Sequence, residues 1–183
     1  MKKQVEEFNN IMVDIETLST KSYAVIVSIA AVQFNLETGE VGFVFRKNIS
    51  IQSCLDIGLK VDGATIQWWL NQSILAKTNS FQGQENIKEV LVSLDEFYLQ
   101  KFENLPEIWG NSASFDLGLL ANAYEKCKLP IPWKYTKEND VRTYLKSVKN
   151  KPIPFEGVKH NPVHDCYHQI KQCHEAYKAI NNK

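Results

Sequence analysis

The chain has 183 residues, 44% of them apolar and 11% aromatic, which suits one well-buried core and is too little for two of ordinary size, so a single domain over residues 1–183 is expected. Its 21 basic and 21 acidic residues cancel, excluding the global positive field of a sequence-blind duplex binder and leaving any nucleic-acid contact to a local patch. No apolar run approaches the ~20 residues of a spanning helix, and the opening Met1–Glu7 is charged, so a cytoplasmic protein without a membrane partner is expected.

Three strand-like stretches come first, Phe8–Ile15, Ala24–Phe34 and Val41–Ile49, the last two joined by the turn Asn35–Gly39 as a hairpin. A helix is predicted from Ala64 to Leu75 with Asp62 or Gly63 at its cap. A longer one over Gln84–Phe102 carries Ile87, Val90, Leu91, Leu94 and Phe97 at apolar spacing. Pro106–Gly110 reads as a short buried strand feeding a helix over Phe115–Lys126. A short helix over Val141–Val148 and a final one over Pro162–Ile180 complete the pattern. An antiparallel trio followed by helices and a further strand is a mixed α/β sandwich rather than a βαβ repeat. The four cysteines form no CxxC pair. Cys166 and Cys173 fall two turns apart on one helix, about 10 Å by helical rise and too far to bridge, so a reducing compartment is expected.

Asp14 and Glu16 occupy alternate positions of the apolar ribbon Asn10–Leu18. A strand places such residues on one face, where burial and mutual repulsion penalise both charges. A hard divalent cation such as Mg²⁺ or Mn²⁺ removes the penalty, and two solvated acids on an exposed edge strand are the plainer alternative. Asp116 falls at a strand-to-helix junction with Ser114 as candidate N-cap; an acid in a first helical turn is also favoured by the helix dipole alone. His160 precedes a helix entry with Asn161 as N-cap and Pro162 at the first helical position, which leaves the histidine on a loop and holds Asp165 in the first turn.

Asp-x-Glu on a first strand, an Asp entering a middle helix and His-x-x-x-x-Asp at the last helix resemble the DEDDh 3′-5′ exonucleases of the DnaQ-like, ribonuclease H-like superfamily. The flanks Ser28–Val32, Ala64–Trp69, Trp109–Asn111, Pro132–Tyr135 and Asp140–Thr143 bring the resemblance closest to the phage exonuclease DexA and its bacterial exoribonuclease relatives. The resemblance implies a ribonuclease H-like mixed sheet, its first three strands antiparallel and the rest parallel, flanked by helices. It implies a two-metal 3′-5′ exonuclease releasing 5′-monophosphates from the 3′ end of single-stranded DNA or RNA. Asp14, Glu16, Asp116 and Asp165 would hold two Mg²⁺ or Mn²⁺ ions roughly 4 Å apart. His160 would be the general base, its pKa pushed upward by the carboxylates until metals bind, swinging in from its loop with substrate. Thr17, Leu18, Asn111 and Phe115 are the implied substrate contacts, with core packing the alternative for Leu18 and Phe115.

One departure is His164, where the family usually carries an acid; it is taken as a surface or supporting position that bears on metal preference. Trp68 and Trp69, about 100° apart on a helix, are expected to divide between core and surface. Arg142, Lys146, Lys149, Lys151 and Lys159 face the single acid Glu156 in their stretch, a local surplus able to guide a phosphate backbone, unless it is a solvated lysine loop; Asp140 is a candidate helix cap. A homodimer is left open. Two rival readings are a zinc peptidase built on His164 and His168, whose spacing imitates the zincin pair, and a nucleic-acid-binding module without catalysis.

Overall fold

The computed structural model describes residues 8–99, 105–148 and 152–181. Five strands, β1 (Asn10–Thr17), β2 (Ile26–Phe34), β3 (Val41–Asn48), β4 (Glu107–Gly110) and β5 (Glu138–Asp140), form one sheet in the order β3-β2-β1-β4-β5. β1, β2 and β3 run antiparallel to one another, and β4 and β5 continue the sheet in parallel. The turn after β2 closes as expected, with Asn35 N–H donating to Glu40 O at 2.9 Å.

β1 and β2 are buried along their whole length, because helices cover both faces. Ile11, Val13 and Ile15 pack with Val27, Ile29 and Ala31 in the larger core, under α4 (Ile87–Leu99) and α5 (Ala113–Lys126). The alternate residue Met12 joins Ala30, Val32 and Phe34 in a smaller cluster under α7 (Pro162–Asn181), which contributes Cys166, Ile170 and Cys173. All four cysteines are free thiols. Among the described residues no helix is long and apolar enough to cross a membrane.

Differences from the sequence expectation have local causes. β1 starts and ends two residues later than Phe8–Ile15, so the strand carries both acids. A short α1 (Ile51–Asp56), capped by Ser50, was not foreseen. The helix expected over Ala64–Leu75 is two, α2 (Gly63–Leu70) and α3 (Ile74–Ser80), because Ser73 accepts from Ala76 N–H and starts a new helix. In α4 the inward residue is Tyr98 rather than Phe97: Tyr98 is buried and its hydroxyl donates to Pro106 O at 2.9 Å, while Phe97 packs at the margin. The expected end of this helix at Phe102 lies outside the described residues. β5 is only three residues long and carried no periodic signal. It leads into α6 (Val141–Lys146), which Asp140 caps by accepting from Thr143 N–H at 2.7 Å.

Leu91 lies fully buried in the larger core. Leu91→Ala is expected to cost about 2–5 kcal/mol, read as a lowered urea midpoint with an unchanged denaturant slope; a loss below about 1 kcal/mol would show that this core collapses around the gap.

Candidate active site

The register of the sheet builds the site. β4 runs beside β1 only as far as Val13 opposite Gly110, so Asp14 to Thr17 continue past the end of their parallel neighbour, where α5 begins. A Cβ on Gly110 would stand 3.0 Å from Asp116 Cβ, so glycine lets the α5 carboxylate sit close against the strand end without being displaced. Asp116 Oδ2 accepts from Ser112 N–H at 3.2 Å, and Asp140 Oδ2 accepts from Ala113 N–H at 2.8 Å. These two acids satisfy the opening of α5 in place of the expected Ser114 cap; Ser112, the residue at the cap position, makes no side-chain cap.

From the opposite face α7 brings its first turns to β1. Carboxylate oxygens of Asp14, Glu16 and Asp165 lie within 4.8 Å of one another, close enough to share one metal ion, and Asp116 lines the same cleft of about 660 Å³. Gln169, one turn beyond Asp165, donates from Nε2 to Asp14 Oδ1 at 2.8 Å. Asp165 Oδ2 and Gln169 Oε1 are buried with no hydrogen-bond partner among the described residues. Orphaned oxygens of this kind, beside three converging carboxylates, fit a hard divalent cation with oxygen ligands.

Electrostatics follow from burial. Desolvation first, then the charges of Asp116, Glu16 and Asp165, holds Asp14 well above the usual carboxylate range, against the Gln169 hydrogen bond. Glu16 is pushed up to about 8 by burial and by Asp165 and Asp116. Asp116 and Asp165 rise to about 6, again chiefly through burial, with backbone N–H donors holding them lower than their partners.

His160 faces this cluster, Nδ1 standing 3.8 Å from Glu16 Oε1. Its ring meets Trp68 at 4.8 Å and Trp69 at 6.1 Å between centroids. Its φ of 62° is a left-handed conformation uncommon for a side-chain-bearing residue and concentrated at functional sites. The upward pKa push expected from the carboxylates is reversed. Desolvation by burial comes first and the charge of Lys159 second, and both lower it.

Asn111 and Phe115 line the cleft, as does Arg142. Thr17 and Leu18 do not. Thr17 Oγ1 donates to Ser19 O at 2.7 Å and its carbonyl accepts Trp69 Nε1–H at 2.9 Å. Leu18 is packed in the larger core, with its N–H and C=O spent on Val25 O and Asp62 N–H. Both stand behind the site, and Thr20 is the residue of this segment that reaches the cleft. Trp69 is core and Trp68 is 44% exposed, as expected, yet both rings touch His160. Of the basic stretch, Arg142, Lys146 and Lys159 are exposed, and Lys149 and Lys151 lie outside the described residues. Sequence reasoning missed Gln169 and Thr20. The spacing Asp165 to Gln169, one helical turn, was the available signal for the first.

His164 and His168 do not pair toward an ion. His164 Nδ1 accepts Val158 N–H at 2.9 Å, and the His168 ring packs on Phe155 at 5.0 Å. The zinc peptidase reading falls with that geometry.

Residues 9–177 match the profile of the 3′-5′ exoribonuclease Rv2179c-like domain. The chain belongs to this family. An Rv2179c-like domain is a 3′-5′ exonuclease by family, so the non-catalytic reading is also set aside. Its finer likeness to DexA itself is not supported beyond the exoribonuclease group. No curated protein matches the chain.

Solved structures share the ribonuclease H-like fold at low identity. A 3′-exonuclease that recognises the 3′ end of a histone mRNA stem-loop is 10% identical, with a TM-score of 0.66 over 94% of this chain and 83% of that one. S. pombe Pop2p, in its Mg²⁺- and Mn²⁺-bound form, is 16% identical, with a TM-score of 0.62 over 97% and 86%. E. coli ExoI in a single-stranded DNA complex is 14% identical, with a TM-score of 0.61 over 96% of this chain but only 41% of that one.

A carboxylate with a raised folded pKa binds more protons folded than unfolded, so its stabilisation is present below its unfolded pKa and lost as pH rises through the folded one. Four acids act in this sense, with folded values of about 6 for Asp116 and Asp165 and about 8 for Glu16; His160, lowered, opposes them as one group. In EDTA the melting temperature is therefore expected to fall between about pH 5 and 8, and Mg²⁺ or Mn²⁺ to restore it more at pH 8 than at pH 5. A melting temperature that rises with pH in EDTA would contradict the buried-acid electrostatics.

Proposed function

We propose that this chain hydrolyses single-stranded RNA from its 3′ end, releasing nucleoside 5′-monophosphates, with two divalent cations, Mg²⁺ or Mn²⁺, held by Asp14, Glu16, Asp116 and Asp165. The single observation that carries the reading is the convergence of Asp14, Glu16 and Asp165 within 4.8 Å, with Asp116 in the same cleft and His160 3.8 Å from Glu16. When bound, the cations supply charge neutralisation and stabilise both the attacking and departing oxygens of an in-line displacement at phosphorus.

The chain's own residues do the rest. Burial keeps the imidazole of His160 neutral at physiological pH, so Nδ1, turned to the cleft, is free to take a proton from the attacking water. Gln169 fixes the rotamer of Asp14, whose second oxygen has no hydrogen-bond partner among the described residues. Asn111 hydrogen-bonds the terminal nucleotide, the half-buried Phe115 offers its ring for stacking, and Arg142, which lines the same cleft, draws in the phosphate. A cleft of about 660 Å³ lies in the range of roughly 300–1,000 Å³ that encloses a small ligand, which suits one terminal nucleotide rather than a duplex end.

RNA is favoured over DNA because the family is described as an exoribonuclease. The chain acts in the cytoplasm as one domain over residues 1–183.

The test is a degradation ladder on matched RNA and DNA oligomers labelled at either end, with Mg²⁺, Mn²⁺ or EDTA. Shortening from the 3′ end with cation only, RNA faster than DNA, is expected. Asp14→Asn is expected to abolish it, and His160→Ala to lower kcat by ~10²–10⁴-fold. Full activity of Asp14→Asn, or shortening from the 5′ end, would overturn the assignment.

A further inference from the structure

We propose that His164 is a positioning residue for this reaction: it clamps the turn that carries His160 and thereby sets the imidazole against Glu16. The inference rests on the assignment of His160 as the base.

The turn runs from Val158 to Asn161, closed by Asn161 N–H donating to Val158 O at 3.3 Å. His160 occupies its third position, where a type II turn calls for positive φ, and its φ of 62° complies. Val158 is the foot of this turn, and its other backbone group, the N–H, is taken by His164 Nδ1 at 2.9 Å. A ring on the first turn of α7 thus fixes the point from which His160 projects.

The clamp extends along one helix face. His164, His168 and Lys171 fall at spacings of four and three residues and face the same side of α7. His168 packs on Phe155 at 5.0 Å, and Lys171 Nζ pairs with Glu156 at 3.0 Å. That pair is exposed and worth little by itself; its use is registration of the loop. Gly157 completes the fit. A Cβ there would stand 2.6 Å from His164 Nδ1, and its φ of 111° already excludes most side chains. The loop therefore lies directly on the His164 ring, whereas Asp165 and Gln169, one position further round the helix, face the acids. One helix segment holds the carboxylates on one side and the base-bearing turn on the other, and its rigidity keeps their separation constant.

The test uses the full chain, steady-state kinetics on single-stranded RNA with Mg²⁺, and hydrogen exchange of the Val158 amide. His164→Ala is expected to lower kcat by about 10-fold or more, since part of the base's contribution is lost, with KM changed less than about 2-fold and Val158 exchanging faster. His164→Asn, whose Oδ1 can accept the same N–H, is expected to recover most of kcat and the protection. Gly157→Ala pushes the contact apart from the loop side and is expected to reproduce His164→Ala, which serves also if that variant fails to fold.

In a His160→Ala background His164→Ala is expected to add nothing, because the two act as one unit. An equal further loss in that background, unchanged kcat in His164→Ala, or His164→Asn as impaired as His164→Ala, would each overturn the positioning role. Full activity of His160→Ala alone would instead overturn the base assignment, a separable result.

Discussion

Everything at this site turns on the burial of four carboxylates in one cleft. Asp14, Glu16 and Asp116 are almost wholly buried, and Asp165 stands close enough to raise Glu16. A group of like charges out of water is unstable unless protons or cations neutralise it. The protein accordingly holds the oxygens apart from one another with fixed donors: Gln169 on Asp14, Ser112 N–H on Asp116, and the backbone N–H groups of His160 and Asn161 on Asp165. Those donors are few, and orphaned oxygens remain beside them, as suits a site whose remaining coordination is met by a hard ion.

The fold supplies two favourable fields and neither dominates. Asp116 and Asp165 both lie in first helical turns, where the dipole contributes ~0.3–1 kcal/mol to an acid. Moving Asp116 from 3.8 to about 6 corresponds to about 3 kcal/mol in the opposite sense. Burial wins over the dipole, so the helix ends position these acids more than they ionise them. The position itself comes from the sheet: parallel pairing of β1 with β4 stops at Gly110, and the ends of parallel strands are where open α/β sheets gather their ligands.

Much of this was legible in the residue order. Asp14 and Glu16 at alternate positions of an apolar strand, Asp116 at a strand-to-helix junction and Asp165 after Pro162 are local signals, and local signals survive folding. The pairing of β2 with β3 also followed, since a short turn joins them as a hairpin. What escaped depends on partners distant in sequence. Thr17 and Leu18 adjoin the acids along the chain, but the strand register shifts after Glu16, Trp69 Nε1–H is bonded to the Thr17 carbonyl, and Leu18 packs in the larger core. The three residues of β5 carry no period, and their strand character comes from pairing with β4. The break between α2 and α3 was hidden because Ser73 signals a cap only if the preceding turn has already ended. The lowered His160 pKa comes first from burial, and one of the rings packed on it, Trp68, is 92 residues away in the chain.

The three faces of α7 tie the packing of the helix to the geometry of the site. Cys166, Ile170 and Cys173 seat the helix on β1 and β2, and Cys166 Sγ lies 3.6 Å from Met12 O. A larger side chain there would lift the helix from the strand that bears Asp14. The second face, Asp165 and Gln169, reaches the acids, and the third, His164 and His168, carries the loop of His160. Spacing between base and carboxylates is thus set by one rigid rod seated on a close-packed cluster, and a close-packed cluster transmits displacement rather than absorbing it. Packing at Cys166 and chemistry at Glu16 are for that reason parts of one constraint, although no hydrogen bond joins them.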